Sequence, residues 1–361
     1  MTHDEARALF PVLKRYAYLN AGTLGPLMRP TATAIEERAE FDLEQGRGGR
    51  AWFDSVLDLR ARVREKVART LATEAASVAL TSSTTNGCNI VVSGLDLAPA
   101  DEAVTTDAEH PGLLLPLHAS GARVVVAEVA GRPTAEVLDR IASRVTPRTR
   151  LLALSHVLWT TGEVMPVQEL KRETGVRVLV DGAQSVGAIP VEVGDVDYYT
   201  VSGQKWLCGP EPLGALYVRD PEALRIAAPS TWAHQSIEKD GTFVAREGAA
   251  RFDSGWQAST MLAGWEAALD AAPEWRFARA AEMASRCRAA LAERGYDVVG
   301  EGRHATLVSF AAPGDAAEIA AKLHANGVVV RDLPGTGWVR VSCGWWTNDD
   351  DLERLVTVLA R

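Results

Sequence analysis

Short runs of aliphatic, β-branched and aromatic residues recur along the first two thirds of the chain, bounded by turn-forming residues and separated by longer stretches of helical spacing. Mainly apolar runs of four to seven residues, rather than in–out alternation, are the pattern of strands buried on both faces of a sheet. Seven such runs are present: Val78-Ala-Leu-Thr81, Ala103-Val-Thr-Thr106, Arg123 to Val129, Leu151-Leu-Ala-Leu-Ser155, residues 176–180, Tyr198 to Val201 and residues 213–218. Helical spacing covers 5–15, 31–45, 53–72 and 134–145, and another helix runs through Asn89 after the first strand. Strands interleaved with helices predict an α/β fold around one mainly parallel, seven-stranded sheet. Past residue 220 the pattern changes. Residues 220–255 read as irregular, 260–294 as Ala-rich helix, and the remainder as a smaller α+β unit with strands near 305–310, 327–331 and 338–342 and helices at 315–325 and 349–360. The expected division is an N-terminal segment (1–20), a large domain (21–255) and a small C-terminal domain (256–361).

Composition narrows the function without naming it. A chain of 361 residues exceeds one ordinary core. The net charge of −9, with no basic stripe, argues against nucleic-acid binding. No apolar run reaches the ~18 residues that a membrane helix requires, and Met1-Thr-His-Asp-Glu lacks the features of a signal peptide. Four scattered cysteines (Cys88, Cys208, Cys287, Cys343) have neither metal spacing nor a disulfide framework, so reduced thiols, a cytoplasmic location and no metal are expected. Charges at helical spacing over 53–72 (Arg60, Arg62, Arg64, Glu65, Lys66) read as a solvated face. No Gly-x-Gly-x-x-Gly follows a strand and no Gly-Lys-Ser/Thr loop occurs, which excludes the common nucleotide folds at motif level.

Three strand ends carry candidate chemistry. The strand 78–81 runs into Ser82-Ser83-Thr84-Thr85-Asn86-Gly87 and then a helix, a turn that offers free amides, hydroxyls and a helix dipole to an anion. A second strand ends in a carboxylate, Asp181, with Gln184 three residues on. A third ends at Ser202-Gly-Gln204-Lys205, with Gly203, Trp206, Leu207 and Cys208 around the lysine. Desolvation disfavours the ammonium ion and frees an amine that can condense with an aldehyde.

The pair of motifs Asp181-x-x-Gln184 and Ser202-x-x-Lys205 resembles the class V aminotransferase and cysteine desulfurase family, which uses pyridoxal phosphate (PLP), and the likeness extends from Tyr18 to the C-terminus. Within it the chain is similar to the branch of isopenicillin N epimerase and the ergothioneine-pathway C–S lyase. The resemblance implies fold type I of the PLP-dependent transferases. It also implies Lys205 as the lysine that holds PLP and moves protons, and Asp181 as the partner of the pyridine nitrogen. Gln184 would meet the phenolic oxygen, and His110 would stack on the ring. Ser83, Thr84, Thr85, Ser202 and Gln204 would hold the phosphate. On the substrate side it implies Arg340 as the holder of the α-carboxylate, with Asn20 and Trp159 nearby, and a homodimer to which Arg47, Arg50 and residues 251–256 contribute. Three positions depart from desulfurases: Trp159 replaces an Asn, Gln204 a His and Trp256 a Thr. Desulfurases also carry a catalytic cysteine just before the carboxylate arginine, whereas Arg331-Asp-Leu-Pro-Gly-Thr-Gly-Trp338 has none. The expectation is therefore an enzyme acting on an amino acid by β-elimination at sulfur, with a transaminase or an epimerase as alternatives. A non-catalytic PLP or amino-acid binding protein is the alternative of another class. Trp159, Trp206, Trp256 and Trp338 fall beside expected site residues. If they face the cofactor they would form an aromatic pocket for a bulky or quaternary-ammonium conjugate.

Overall fold

The computed structural model describes residues 1–132, 134–300 and 302–361. The chain opens with α1 (His3–Ala8), which Thr2 starts with a capping box to Glu5. The expected helix over 5–15 stops early because Pro11 begins a separate 3-10 turn, Pro11–Lys14. Then come β1 (Ala17–Tyr18), α2 (Arg29–Gln45) and α3 (Gly49–Thr70). The large domain continues as β2 (Val78–Thr81), α4 (Thr84–Leu95), β3 (Glu102–Thr106), α5 (Pro111–Ala119), β4 (Arg123–Ala127), α6 (Thr134–Ala142), β5 (Thr149–Ser155), α7 (Val167–Thr174), β6 (Val178–Asp181), β7 (Tyr198–Ser202) and β8 (Gly214–Val218). The stretch expected to be irregular holds a hairpin, β9 (His234–Ile237) and β10 (Phe243–Ala245). The helices α8 (Ser259–Ala271) and α9 (Arg276–Ala292) follow. The chain ends with β11 (Leu307–Ala311), α10 (Ala316–Ala325), β12 (Val328–Val329), β13 (Arg331–Leu333), β14 (Trp338–Ser342) and α11 (Asp349–Leu359).

The seven expected strands form one sheet in the order β2-β8-β7-β6-β5-β3-β4. β8 runs antiparallel to both of its neighbours, and the other contacts are parallel. Helices cover both faces. On one, Leu80, Val104, Leu154, Val180 and Val201 pack with α3, α6, α7 and α8. On the other, Ala79, Ala103, Leu151, Ala153 and Leu179 pack on Cys88 and Val91 of α4 and Leu113 and Leu117 of α5. This is an α/β architecture, and its parallel strands end together at one edge, where such sheets place their ligands.

The small unit is the antiparallel sheet β11-β14-β13 backed by α9, α10 and α11. Ala17 and Leu19 join its core, and β1 pairs in parallel with β12. α8, in contrast, adds Leu262 and Trp265 to the large core. On this packing we place the domain division after α8 rather than at residue 256. The 53–72 face is not wholly solvated either. Arg60 is buried and donates to Asp253 at 2.8 Å, and Arg64 donates to the same carboxylate at 2.7 Å. Among the described residues no helix is long and apolar enough to cross a membrane, and no cluster of His, Cys, Asp and Glu is suited to a metal ion.

Candidate active site

Four strand ends build the floor of the site. β6 ends on Asp181, which is buried. Its Oδ1 accepts the Ala183 amide at 2.9 Å and the Thr200 hydroxyl at 3.4 Å. β7 ends on buried Ser202, and Lys205 stands on the turn beyond it. Burial pushes the Lys205 amine down to about 8; Asp181 opposes this, and Arg340 and Arg331 add to the fall. The lysine is thus poised to lose its proton near neutral pH.

β2 feeds α4, whose N-cap Ser83 takes the Asn86 amide on its hydroxyl at 3.1 Å. Thr84 and Thr85 open the helix, so their amides have no intrahelical acceptor. Thr81 and Ser202 pair in register with the same residue, Gly214, which lines up Ser202 with this turn across β7-β8-β2. β3 leads to His110, the N-cap of α5. The Gly112 amide donates to His110 Nδ1 at 3.0 Å, which pins the ring. Burial lowers the pKa of His110, as do Lys205, Arg331 and Arg340, while Asp181 opposes them.

The opposite wall comes from the small domain. Arg340, on β14, is almost wholly buried yet makes no carboxylate ion pair among the described residues. Its Nη1 donates to the Trp159 carbonyl at 2.8 Å and its Nη2 to the Thr23 hydroxyl at 3.3 Å, while its Nε is buried without a partner. Burial pushes its pKa down to about 9, with Arg331 adding to the fall. Arg331 lies directly opposite it on β13 and reaches the same Thr23 hydroxyl at 3.5 Å. Thr23 donates to Asn20 Oδ1 at 2.9 Å, so Asn20 meets the arginines only through that hydroxyl. The strap carrying these residues must come very close. A Cβ on Gly22 would lie 2.8 Å from Arg340 Nη2.

Gln184 is committed on both sides, donating to the Gly22 carbonyl at 2.9 Å and accepting from Trp206 Nε1 at 3.0 Å. One amide hydrogen remains for a ligand. Gln204 lines an apolar cavity of about 680 Å³ with Tyr18, Leu24 and Met261, and no hydrogen bond ties it to the α4 turn among the described residues. Among the described residues, two of the four tryptophans meet a site side chain: Trp159 stands edge-on to His110 at 5.2 Å, and Trp206 donates its indole N–H to Gln184. Trp256 is half-exposed and clusters with Trp52, Phe53 and Trp232, and Trp338 caps the hairpin register opposite Leu333. The expected aromatic wall therefore does not form within one chain. Arg251 pairs with Glu222 and Arg50 with Asp54 of their own chain, and all four cysteines are buried.

These residues fit PLP chemically. The donor-rich helix start suits a phosphate dianion, the strand-end carboxylate a pyridine nitrogen and the desolvated lysine an aldehyde. The unpartnered Arg340 Nε suits an amino-acid carboxylate. Sequence reasoning missed Arg331, although the turn-forming Pro334-Gly335-Thr336-Gly337 between two strands signals a hairpin that folds it back onto Arg340.

Comparison with known proteins agrees. The family model for aminotransferase class-V matches residues 46–354. Isopenicillin N epimerase from Streptomyces clavuligerus is 27% identical over 99% of this chain and 97% of its own, and cysteine desulfurase CsdA from Escherichia coli is 28% identical over 98% and 96%. Among solved structures, the cystine C–S lyase C-DES with its product cysteine persulfide superposes with a TM-score of 0.89 at 28% identity, covering 97% of this chain and 99% of that one. A C-DES variant with glycine covalently linked to the PLP cofactor gives a TM-score of 0.91 at 29% identity over 98% of each chain.

Proposed function

The chain belongs to the class V aminotransferase family and is a PLP-dependent enzyme, and on that premise we propose that it is a C–S lyase cleaving an amino acid by β-elimination. The observation that carries the proposal is the arginine hairpin. Arg331 and Arg340 converge on one neutral hydroxyl with no acid partner among the described residues, and the segment between them holds no cysteine. A desulfurase needs a thiol there; a lyase needs only to hold its substrate while sulfur leaves. Two guanidinium groups suit a substrate with a second anionic group, such as a disulfide-linked amino acid with a distal carboxylate. The lyase activity of C-DES on cystine supports the same direction.

Bound PLP supplies an electron sink for the pair left at Cα. Asp181 would keep a proton on the ring nitrogen, and His110, pinned by the Gly112 amide, would pack against the ring. Ser83, Thr84, Thr85 and Ser202 would hold the phosphate, and Arg340 would fix the α-carboxylate. Lys205 Nζ would take the Cα proton; the pair left there would form the Cα=Cβ bond as the sulfur group leaves Cβ with the C–S pair, and water would then release pyruvate and ammonia. Epimerisation and transamination use the same lysine, and the epimerase relative keeps the first of these as the second reading. We also read the exposed aromatic cluster of Phe53 and Trp256 as part of a homodimer contact.

The product decides. Cystine and other cysteine conjugates with a distal carboxylate are expected to yield pyruvate and ammonia with a higher kcat/KM than cysteine or alanine. A new keto acid from alanine or glutamate, or an inverted stereocentre with no pyruvate, would replace the lyase reading. Borohydride should fix the cofactor on Lys205, and serine at each cysteine should leave turnover intact.

A further inference from the structure

Glu109 is buried, and the roles assigned above leave it unused. It stands between the end of β3 and His110. Its Oε1 accepts the Thr106 hydroxyl at 2.8 Å, and its Oε2 accepts both the amide of Ser155, at 2.9 Å, and that residue's hydroxyl. Thr106 ends β3 and Ser155 ends β5. Ser155 is also the register partner of Asp181, and the next amide, His156, donates to the Asp181 carbonyl at 3.0 Å. One side chain thus ties together two strand ends, and through them His110 on one side and Asp181 on the other.

Three donors converge on the two oxygens, and the one that can only donate, the Ser155 amide, requires an oxygen at the Oε2 position. Among the described residues no cation pairs with Glu109; the titratable groups that face it are Asp181 from β6 and Cys88 from α4. A buried carboxylate without a counter-ion is costly. A tie needed only for packing could be made with neutral groups.

We propose that Glu109 is a positioning residue of the cofactor site, one that holds His110 and Asp181 in mutual register and sets a second buried negative charge beside Asp181. The proposal rests on the reading of Asp181 and His110 as cofactor contacts. Burial pushes Glu109 up to about 7, with Asp181 adding to the rise and the hydroxyl and amide donors opposing it. Its charge therefore changes across neutral pH. An acid whose folded pKa is raised costs stability once ionised. Its contribution to stability falls as pH rises from its ordinary value of 4.5 through about 7.

The test is Glu109→Gln, read in two ways. In the cofactor-free protein, the melting temperature of the wild type is expected to fall relative to the variant between pH 5 and pH 8. In the loaded enzyme, the visible band of the wild type is expected to titrate near pH 7 and that of the variant to lose this transition, with kcat falling about tenfold and KM within twofold. If Glu109→Gln fails to fold, Thr106→Val and Ser155→Ala each remove a donor while keeping the charge, and should raise the pH of the transition. Identical pH profiles of melting and absorption in wild type and variants would overturn the proposal. Cofactor fixed on a lysine other than Lys205 would overturn the site reading instead, and the cofactor-free melting series would still decide whether Glu109 titrates.

Discussion

The two walls of the site carry opposite charge and are built by opposite means. The sheet wall holds two carboxylates, Asp181 and Glu109, each at or beside the end of a parallel strand and each satisfied by hydroxyls and amides. The small-domain wall holds two guanidinium groups, Arg331 and Arg340, on adjacent antiparallel strands, bonded to neutral oxygens. Lys205 lies in the field of both. Pairing the acids with the arginines would relieve each wall and leave nothing for a ligand. Elsewhere the fold does make such pairs, as where Arg60 and Arg64 close on Asp253. The contrast sets the proposed site apart: Asp253 is neutralised within the chain by Arg60 and Arg64, whereas the acids and arginines of the two walls are kept apart.

Breaking the sheet wall should cost most. Asp181→Asn removes the proposed partner of the ring nitrogen and should raise the barrier by about 4 kcal/mol, lowering kcat on the order of a thousandfold with the cofactor still bound. It should also shift Lys205 further below about 8, because Asp181 is the group that holds it up. Near-normal turnover would remove Asp181 from this role. Breaking the opposite wall at its buried member should cost less. Arg340→Gln loses a charge-assisted contact and should lower kcat/KM roughly a hundredfold, mostly through KM. An unchanged KM would place the α-carboxylate elsewhere. The smallest and most selective effect belongs to Arg331→Gln. A fall of about tenfold is expected for cystine and little change for alanine. Because Arg331 helps to depress Lys205, the midpoint of the pH dependence of cofactor capture should move upward. Equal losses for both substrates would leave Arg331 without a role in choosing the second anion.

The same contrast explains what could be read from the chain. Asp181-x-x-Gln184 and Ser202-x-x-Lys205 are local motifs at strand ends, and a parallel sheet gathers its strand ends at one edge whatever the intervening helices do. Glu109 escaped notice because its burial depends on β3 lying beside β5. Arg331 escaped because its place opposite Arg340 depends on hairpin register. Arg60 and Arg64 looked solvated because their acid, Asp253, enters 193 residues after Arg60 and 189 after Arg64. Nearness in sequence misled in the other direction for Trp256, which faces outward with Trp52 and Phe53, whereas Trp206, next to Lys205, does meet the site through Gln184.

One feature of the sheet bears on how the protein is made. β2, which leads into the Ser83–Thr85 turn, has a single neighbour among the described residues, β8, and its Thr81 pairs with Gly214. On the ribosome the first strand of the large domain therefore waits without a partner while the six other strands are synthesised. Contacts so distant along the chain close slowly and leave an unpaired edge exposed meanwhile. The turn between β2 and α4 is written early in the polypeptide and fixed late in its synthesis, so a nascent chain that stops short of residue 214 has the turn's residues but lacks the strand that joins them to the rest of the sheet.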